Sequence, residues 1–242
     1  QYTILNNWVL NGAATMSAAD FMFGTQSLLS STTTSYVTLT QGDYFGNATP
    51  TNWTLEFFFN FTSVSTNQAM VISNSPFSLK ITYVKTSSRL NISLGSNGTS
   101  YNIANGATTS TTFPTAGVWH HFAIVYNGVN YRVFTNGTLA STIANDTPVS
   151  AACLTSVKFG ADGSTSYTGY IDELRISNVA RYSTAFTPTA SAFTYDTNTI
   201  ALNHFEGSDI IDADDCSNIQ FGFLRGQYGP DQVVYVYAMG HA

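Results

Sequence analysis

The sequence predicts an all-β fold, an antiparallel two-sheet β-sandwich, and three observations predict it. Trp53–Phe61, WTLEFFFNF, alternates strictly, with Trp53, Leu55, Phe57, Phe59 and Phe61 on one face and Thr54, Glu56, Phe58 and Asn60 on the other. Turn signals built on Gly, Asn and Pro recur roughly every 8–15 residues, as in a sandwich. No stretch carries the 3.6-residue period of an amphipathic helix.

The elements follow in order. Tyr2–Leu5 and Trp8–Leu10 read as short strands separated by Asn6-Asn7, and Tyr36–Leu39 as a strand closing a Ser/Thr-rich stretch. Gly42, Gly46 and Pro50 mark residues 40–52 as a loop. After Trp53–Phe61 come Ala69–Ser73 and Phe77–Val84, the latter with Phe77, Leu79, Ile81 and Tyr83 on one face. Arg89–Leu94 and Tyr101–Ala104 flank an Asn97-Gly98 hairpin signal. Trp119–Tyr126 is apolar on both faces and belongs in the middle of a sheet. Asn127-Gly128 turns it into Tyr131–Thr135, and Asn136-Gly137 turns the chain again into Leu139–Ala144. Thr155–Phe159 and Tyr170–Ser177 complete the run. On simple alternation, Tyr170, Asp172, Leu174 and Ile176 share one face of the last strand. Ile171, Glu173 and Arg175 share the other, with Glu173 and Arg175 close enough to pair.

Three stretches carry a family resemblance. GYIDELRISNVARYSTAFTP, residues 169–188, resembles the closing signature of laminin-G-like, concanavalin-A-like jelly-roll domains, in the variety found in phage and viral tail or surface proteins. FGTQSL (Phe23–Leu28), Tyr36-Val37 and WTLEFFFNF resemble the family's opening strands, and VWHHFAIVYNGVNYRVFTNGTL (Val118–Leu139) its central hairpin. The matches span roughly residues 20–205. The resemblance implies a jelly roll; the fold hosts adhesins, lectins, enzymes and inert structural modules alike. Thr199–Gly207, TIALNHFEG, resembles the family's first strand but comes last here. Three placements stay open: closure in cis as in a circular permutation, donation to a neighbouring subunit, or the opening of a second repeat. The expected organisation is a jelly roll over residues 1–207, with 199–207 as its permuted first strand. Residues 208–242 then form an extension whose uncharged segment Val233–Met239, VVYVYAM, pairs in cis or with a neighbour.

Composition narrows the function classes. Charged residues are 9% of the chain, against roughly 25% in ordinary soluble domains, while aromatics reach 14%. So sparse a charge suits a protein living in an assembly or under glycans. A net charge of −6 with only 8 Lys and Arg argues against nucleic acid as a partner. No apolar run approaches the roughly 18 residues of a membrane helix, so no membrane insertion is expected. The first residue is Gln1 rather than Met, which reads as a processing product or a fragment edge. Cys153 and Cys216 have no metal spacing; they are two free thiols or, outside the cell, a disulfide. Seven Asn-x-Ser/Thr sequons, at Asn47, Asn52, Asn60, Asn91, Asn97, Asn136 and Asn145, are glycosylation candidates on a eukaryotic secretory route.

Signals for catalysis are poor. A retaining glycosidase needs two carboxylates about 5 Å apart. The glucanase relatives place them as Glu-x-Asp-x-x-Glu, which none of the three glutamates, Glu56, Glu173 and Glu206, matches. There is no Gly-x-Ser-x-Gly elbow, phosphate loop or dinucleotide fingerprint. His120 and His121, adjacent on a strand, diverge and cannot share an ion. No cofactor is expected, with calcium the one metal entertained: Asp209, Asp212, Asp214 and Asp215 cluster, against the plainer reading of a solvated acidic loop, and Asp43 and Asp162 are weaker candidates. Loop aromatics Tyr44, Phe45, Tyr101, Tyr167 and Tyr182 are the glycan-stacking candidates, against a plainer role padding the sandwich rim. Trp53, Trp119 and Asp172 read as structural, Asp172 as a buried carboxylate satisfied by backbone N–H groups or an aromatic donor. The expected function is a non-catalytic structural or adhesive subunit on a virion, phage tail or extracellular filament. It would assemble with other copies of itself or other particle subunits by strand pairing and apolar burial. The alternative is a lectin module recognising a host or matrix glycan.

Overall fold

A computed structural model describes residues 8–39, 52–74, 77–149 and 157–206. Its strands are β1 (Trp8–Asn11), β2 (Thr15–Ser17), β3 (Ser27–Ser30), β4 (Tyr36–Leu39), β5 (Trp53–Phe61), β6 (Gln68–Asn74), β7 (Phe77–Val84), β8 (Arg89–Gly98), β9 (Ala104–Thr112), β10 (Trp119–Tyr126), β11 (Tyr131–Thr135), β12 (Thr138–Ile143), β13 (Lys158–Phe159), β14 (Gly169–Ser177) and β15 (Thr199–Asn203). Among the described residues there is no helix. The strands form two antiparallel sheets. One has seven strands in the order β1-β4-β13-β6-β7-β8-β9. The other has eight, in the order β12-β11-β10-β5-β14-β3-β2, with β15 also on β14.

The apolar faces meet between the sheets. Phe57, Phe59 and Phe61 of β5 and Phe122 of β10 stack with Tyr83 and Phe113, all within 2% of full burial. Ring centroids run 4.8 Å for Phe61–Tyr83 and 5.2 Å for Phe57–Phe122. Each ring removes roughly 150–250 Å² from water, so this layer dominates the core. Trp53 belongs to it, packed on Tyr126 and Tyr131.

The strongly alternating segments fall where the sequence puts them, and the exceptions have physical causes. β8 runs through Asn97-Gly98, because Asn97 Oδ1 accepts from the N–H groups of Thr99 and Ser100 and so turns the chain just beyond. β9 then takes nine residues, ANGATTSTT, of which the sequence reading caught only Ala104. β2 and β3 are further strands too short to show a period.

The larger correction concerns β14, where the alternation breaks. A bulge lies between Asp172, opposite Phe58, and Arg175, opposite Glu56, with Glu173 at φ 52°. One extra residue moves the strand's faces by one. Ile171 before the bulge and Leu174 and Ile176 after it all enter the core. Asp172 therefore lies on the outer face, not on the apolar one, and Glu173 does not pair with Arg175.

β14 has β5 along one edge, while its other edge is divided: Gly169–Ile171 pair with β3 and Leu174–Ser177 with β15 of the same chain. Tyr2–Leu5, Cys153, Cys216 and Val233–Met239 lie outside the described residues.

The Asn136-Gly137 turn has both residues at positive φ, 49° and 75°, as a two-residue type I′ hairpin requires. A Cβ on Gly137 would also stand 1.8 Å from Phe186 O. Gly137→Ala is therefore expected to cost more than the strain alone. Gly117→Ala, at φ 77° with nothing within 4 Å, should show only the strain, about 1–2 kcal/mol. Urea denaturation of the two variants measures the difference, and equal losses would contradict the close approach.

Candidate functional site

The two outer faces of the sandwich differ in kind. On the eight-stranded sheet, β5 offers Thr54, Glu56, Phe58 and Asn60, all 3% exposed or less. They are covered by a strap, residues 178–198, between β14 and β15, and by residues 20–26.

Glu56 is fully buried beneath the strap. Its Oε1 accepts from Arg175 Nε at 2.9 Å, with Arg175 Nη2 at 2.7 Å. Its Oε2 accepts from the Tyr182 hydroxyl at 2.7 Å and faces His121 Nε2 at 3.2 Å. A carboxylate only accepts, so His121 presents Nε2–H here. Burial alone would raise the Glu56 pKa, but the His121 hydrogen bond, the Arg175 and His121 charges and the Tyr182 hydrogen bond together hold it below the usual carboxylate range. The strap is fixed at further points. Arg181 N–H donates to Thr54 Oγ1 and Thr54 Oγ1–H to Val179 O. Phe186 N–H donates to Gly137 O and Arg132 to Ser183 O. Arg181 forks onto Asp196 at 2.8 and 2.9 Å.

The bulge brings two more carboxylates to this side, Glu173 and Asp172, and Asp20 and Glu206 stand near them. Glu173 accepts from Phe193 N–H at 2.6 Å and meets His204 Nδ1 at 2.8 Å. Asp172 accepts from the N–H groups of Met22, Phe23 and Glu173 at 2.8, 3.1 and 2.8 Å. Asp20 binds the Trp119 indole N–H at 2.8 Å and Asn60 Nδ2 at 2.7 Å. Glu206 receives the N–H and hydroxyl of Thr25. These carboxylates are tied to protein donors, and among the described residues no group of three or more His, Cys, Asp or Glu is placed to hold a metal ion. His121 faces this cluster while His120 turns inward onto Phe59 and Phe113.

The glycan-stacking candidates do not converge. Tyr167 is fully buried, its hydroxyl bonded to the carbonyls of Asn60 and Tyr170, so its ring is core and not loop surface. Tyr182 lies flat on Phe186, centroids 3.6 Å apart, with its hydroxyl spent on Glu56. Tyr101 packs edge-on against Phe77 and donates to Ser73 O; burial, then the Asp162 charge, push its pKa up to about 12. Tyr44, Phe45, Asp43, Asn47, Asp209, Asp212, Asp214 and Asp215 lie outside the described residues. Of the sequons, Asn60 is buried with its amide on Asp20, leaving no room for a glycan on the folded chain. Asn97 is exposed near the end of β8 and Asn136 in a turn, and Asn52, Asn91 and Asn145 are half-buried.

The outer face of the seven-stranded sheet is polar and half-exposed. The row Val37–Phe159–Val71–Ile81–Ile92 points into the core. The adjacent row, Thr38–Lys158–Ile72–Lys80–Ser93, therefore points out. Beside it stand Asn11 and Tyr36 on one flank and Thr82, Asn91 and Thr108 on the other. Lys158 Nζ lies 4.5 Å from the Tyr36 ring centroid. Thr108 Oγ1 donates to Asn91 Oδ1 at 3.0 Å. The sequence reading missed this face; the Lys80 and Thr82 alternation within Phe77–Val84 was its one visible trace.

With sheets and faces defined, the chain's kinship is clear. It belongs to the concanavalin A-like lectin/glucanases superfamily, whose laminin-G-type family model matches residues 31–185. No curated protein matches it. Similar solved structures include a candidate carbohydrate-binding protein from Bacteroides ovatus ATCC 8483 (TM-score 0.52, 11% identity, 85% of this chain and 53% of that one). They also include botulinum neurotoxin type C, whose cell entry depends on two ganglioside molecules (TM-score 0.54, 16% identity, 72% and 43%). A third is the binding domain of botulinum neurotoxin DC in complex with SialylT (TM-score 0.51, 16% identity, 72% and 43%). The chain spans about half the length of these structures or less. At these identities the likeness is one of fold.

Titration of the sealed face gives a pH signature. Three N–H donors favour an ionised Asp172, but burial outweighs them and, with the Glu173 charge, raises its pKa to about 7. An unfolded aspartate titrates near 4, about 3.9. Between those values the folded chain binds the extra proton, so stability falls as pH rises from about 4 to about 7. Glu56 and Asp196, lowered by their partners, act oppositely: their contribution is present above the ordinary carboxylate range and is lost as pH falls through their folded values. Melting temperature should peak on the acid side of neutrality, and Asp172→Asn should flatten the limb above the peak. A stability that climbs steadily from pH 5 to 8 would mean Asp172 is ionised in the fold.

Proposed function

We propose that this chain is a non-catalytic glycan-binding module that takes sugar on the outer face of the seven-stranded sheet. The carrying observation is the contrast between the faces. The eight-stranded sheet hides its carboxylates, with Glu56, Asp172 and Glu173 each 1% exposed or less, where no substrate reaches them. The other face presents half-exposed hydroxyls and amides, Asn11 and Thr38 near the Tyr36 ring and Thr82 and Asn91 on the opposite flank. Sugars need this mixture: directional donors and acceptors for their hydroxyls and an aromatic ring for their C–H faces. The carbohydrate- and ganglioside-binding proteins that share the fold support the same reading. A glycan array on the soluble protein, followed by calorimetry on each hit, tests it. Tyr36→Ala should weaken a hit about tenfold, and an array silent across plant, animal and bacterial glycans would sink the reading.

A second reading is an assembling subunit of an extracellular particle, and β9 favours it. β9 is the outermost strand of its sheet, nine residues long, with no charge and no proline. Natural edges usually carry such guards against strand addition. Val233–Met239 is the segment of the sequence suited to adding there. Light scattering over a concentration series should then show oligomers that Ser110→Lys, a charge placed on the edge, disperses. A monomer at every concentration excludes assembly through β9.

A further inference from the structure

We infer that the glycan this face takes is acidic, bound through a carboxylate between Lys80 and Lys158; the inference rests on the glycan-binding reading. The chain has three lysines, and two of them stand in one cross-strand row. Lys158 and Lys80 both lie opposite Ile72, one from β13 and one from β7, so their Cα atoms are roughly 10 Å apart, two strand spacings. Ile72, between them, is only 2% exposed and so is covered by its neighbours. Neither lysine has a salt bridge among the described residues. Each is held in place without being neutralised by contact. Lys158 rests over the Tyr36 ring. Lys80 lies in the field of Asp162, whose carboxylate accepts from the N–H groups of Ser164 and Thr165; burial alone would raise its pKa, but these bonds and the Lys80 charge hold it below the usual carboxylate range. In a chain with only 8 Lys and Arg, two of them stand in this row.

The chemistry favours a charged sugar over a neutral one. A lysine offers three donors and no acceptor. A neutral pyranose would desolvate two ammonium groups and return only hydroxyl acceptors. A uronic-acid or similar carboxylated unit meets both with charge-assisted hydrogen bonds, its ring against Tyr36. Two such contacts also make binding depend on salt, because partly exposed charges are screened beyond about 8 Å at physiological ionic strength.

The test uses the full chain with three probes: an oligogalacturonate, the same oligosaccharide with its carboxyls reduced to alcohols, and a sulfated counterpart of the reduced form. Calorimetry should rank the uronate above its reduced form. Lys80→Gln and Lys158→Gln should each cut uronate affinity about fivefold, the value of one unit-charge contact in water, and so narrow the preference for the uronate over its reduced form. Lys85→Gln, an exposed lysine in the turn after β7, should change nothing, and 0.5 M salt should erase the preference. Equal binding of uronate and reduced forms overturns the acidic-glycan inference while the glycan-binding reading stands. Binding of the sulfated probe alone overturns the carboxylate assignment. Failure of all three probes, together with a silent array, overturns the parent reading.

Discussion

A carboxylate buried in the middle of a central strand governs what covers the eight-stranded sheet. Glu56 is completely removed from water, and an unpaired buried charge costs several kcal/mol. Its partners come from three different places: His121 on β10, Arg175 on β14, and Tyr182 and Arg181 on the strap. Lifting the strap would strip Tyr182 from the carboxylate and open Phe186 and Phe193 to water. The strap is thus held shut by a polar requirement at its floor as well as by apolar contact above. That is why this face of the sandwich is architecture.

The bulge at Glu173 is the second constraint. A regular strand would alternate Asp172, Glu173, Leu174 and Arg175 across the sheet. Placing Glu173 in the left-handed region, unusual for a residue with a side chain, lets Leu174 fill the core and still leaves Arg175 facing Glu56. The strain is offset locally, since Glu173 is anchored by Phe193 N–H and His204.

Period and turn chemistry made much of the fold legible. β5, β7, β10 and β11 emerge with the residue bounds the sequence suggests, because each has both a clear apolar pattern and a defined turn. β9 was illegible because ANGATTSTT has no apolar rhythm; its place comes from pairing with β8. The Glu56 cluster was hidden for another reason. Glu56 sits at an outward position, which alternation assigns to solvent, yet its neighbour Phe58 is apolar on that same face. That pairing was the available sign that the face is covered and that the carboxylate needs partners. The bulge left no sign, since a one-residue insertion resembles ordinary alternation until register is known. The lysine row was out of reach: its members are 78 positions apart in sequence, and only the order of strands makes them neighbours.

The divided edge of β14 has a consequence for how the molecule is made. One strand is zipped on one side to β5, and on the other to β3 from the start of the described chain and β15 from its end. The pairings with β5 and β3 join residues more than a hundred positions apart, and chains dominated by distant contacts fold slowly. On the ribosome, β3 and β5 emerge long before the strand that belongs between them. They must wait with their hydrogen-bonding edges unfilled until β14 arrives, and the last ladder closes only when β15 follows. Synthesis therefore runs ahead of folding at this seam, and the middle of the eight-stranded sheet is the last part of it to be filled.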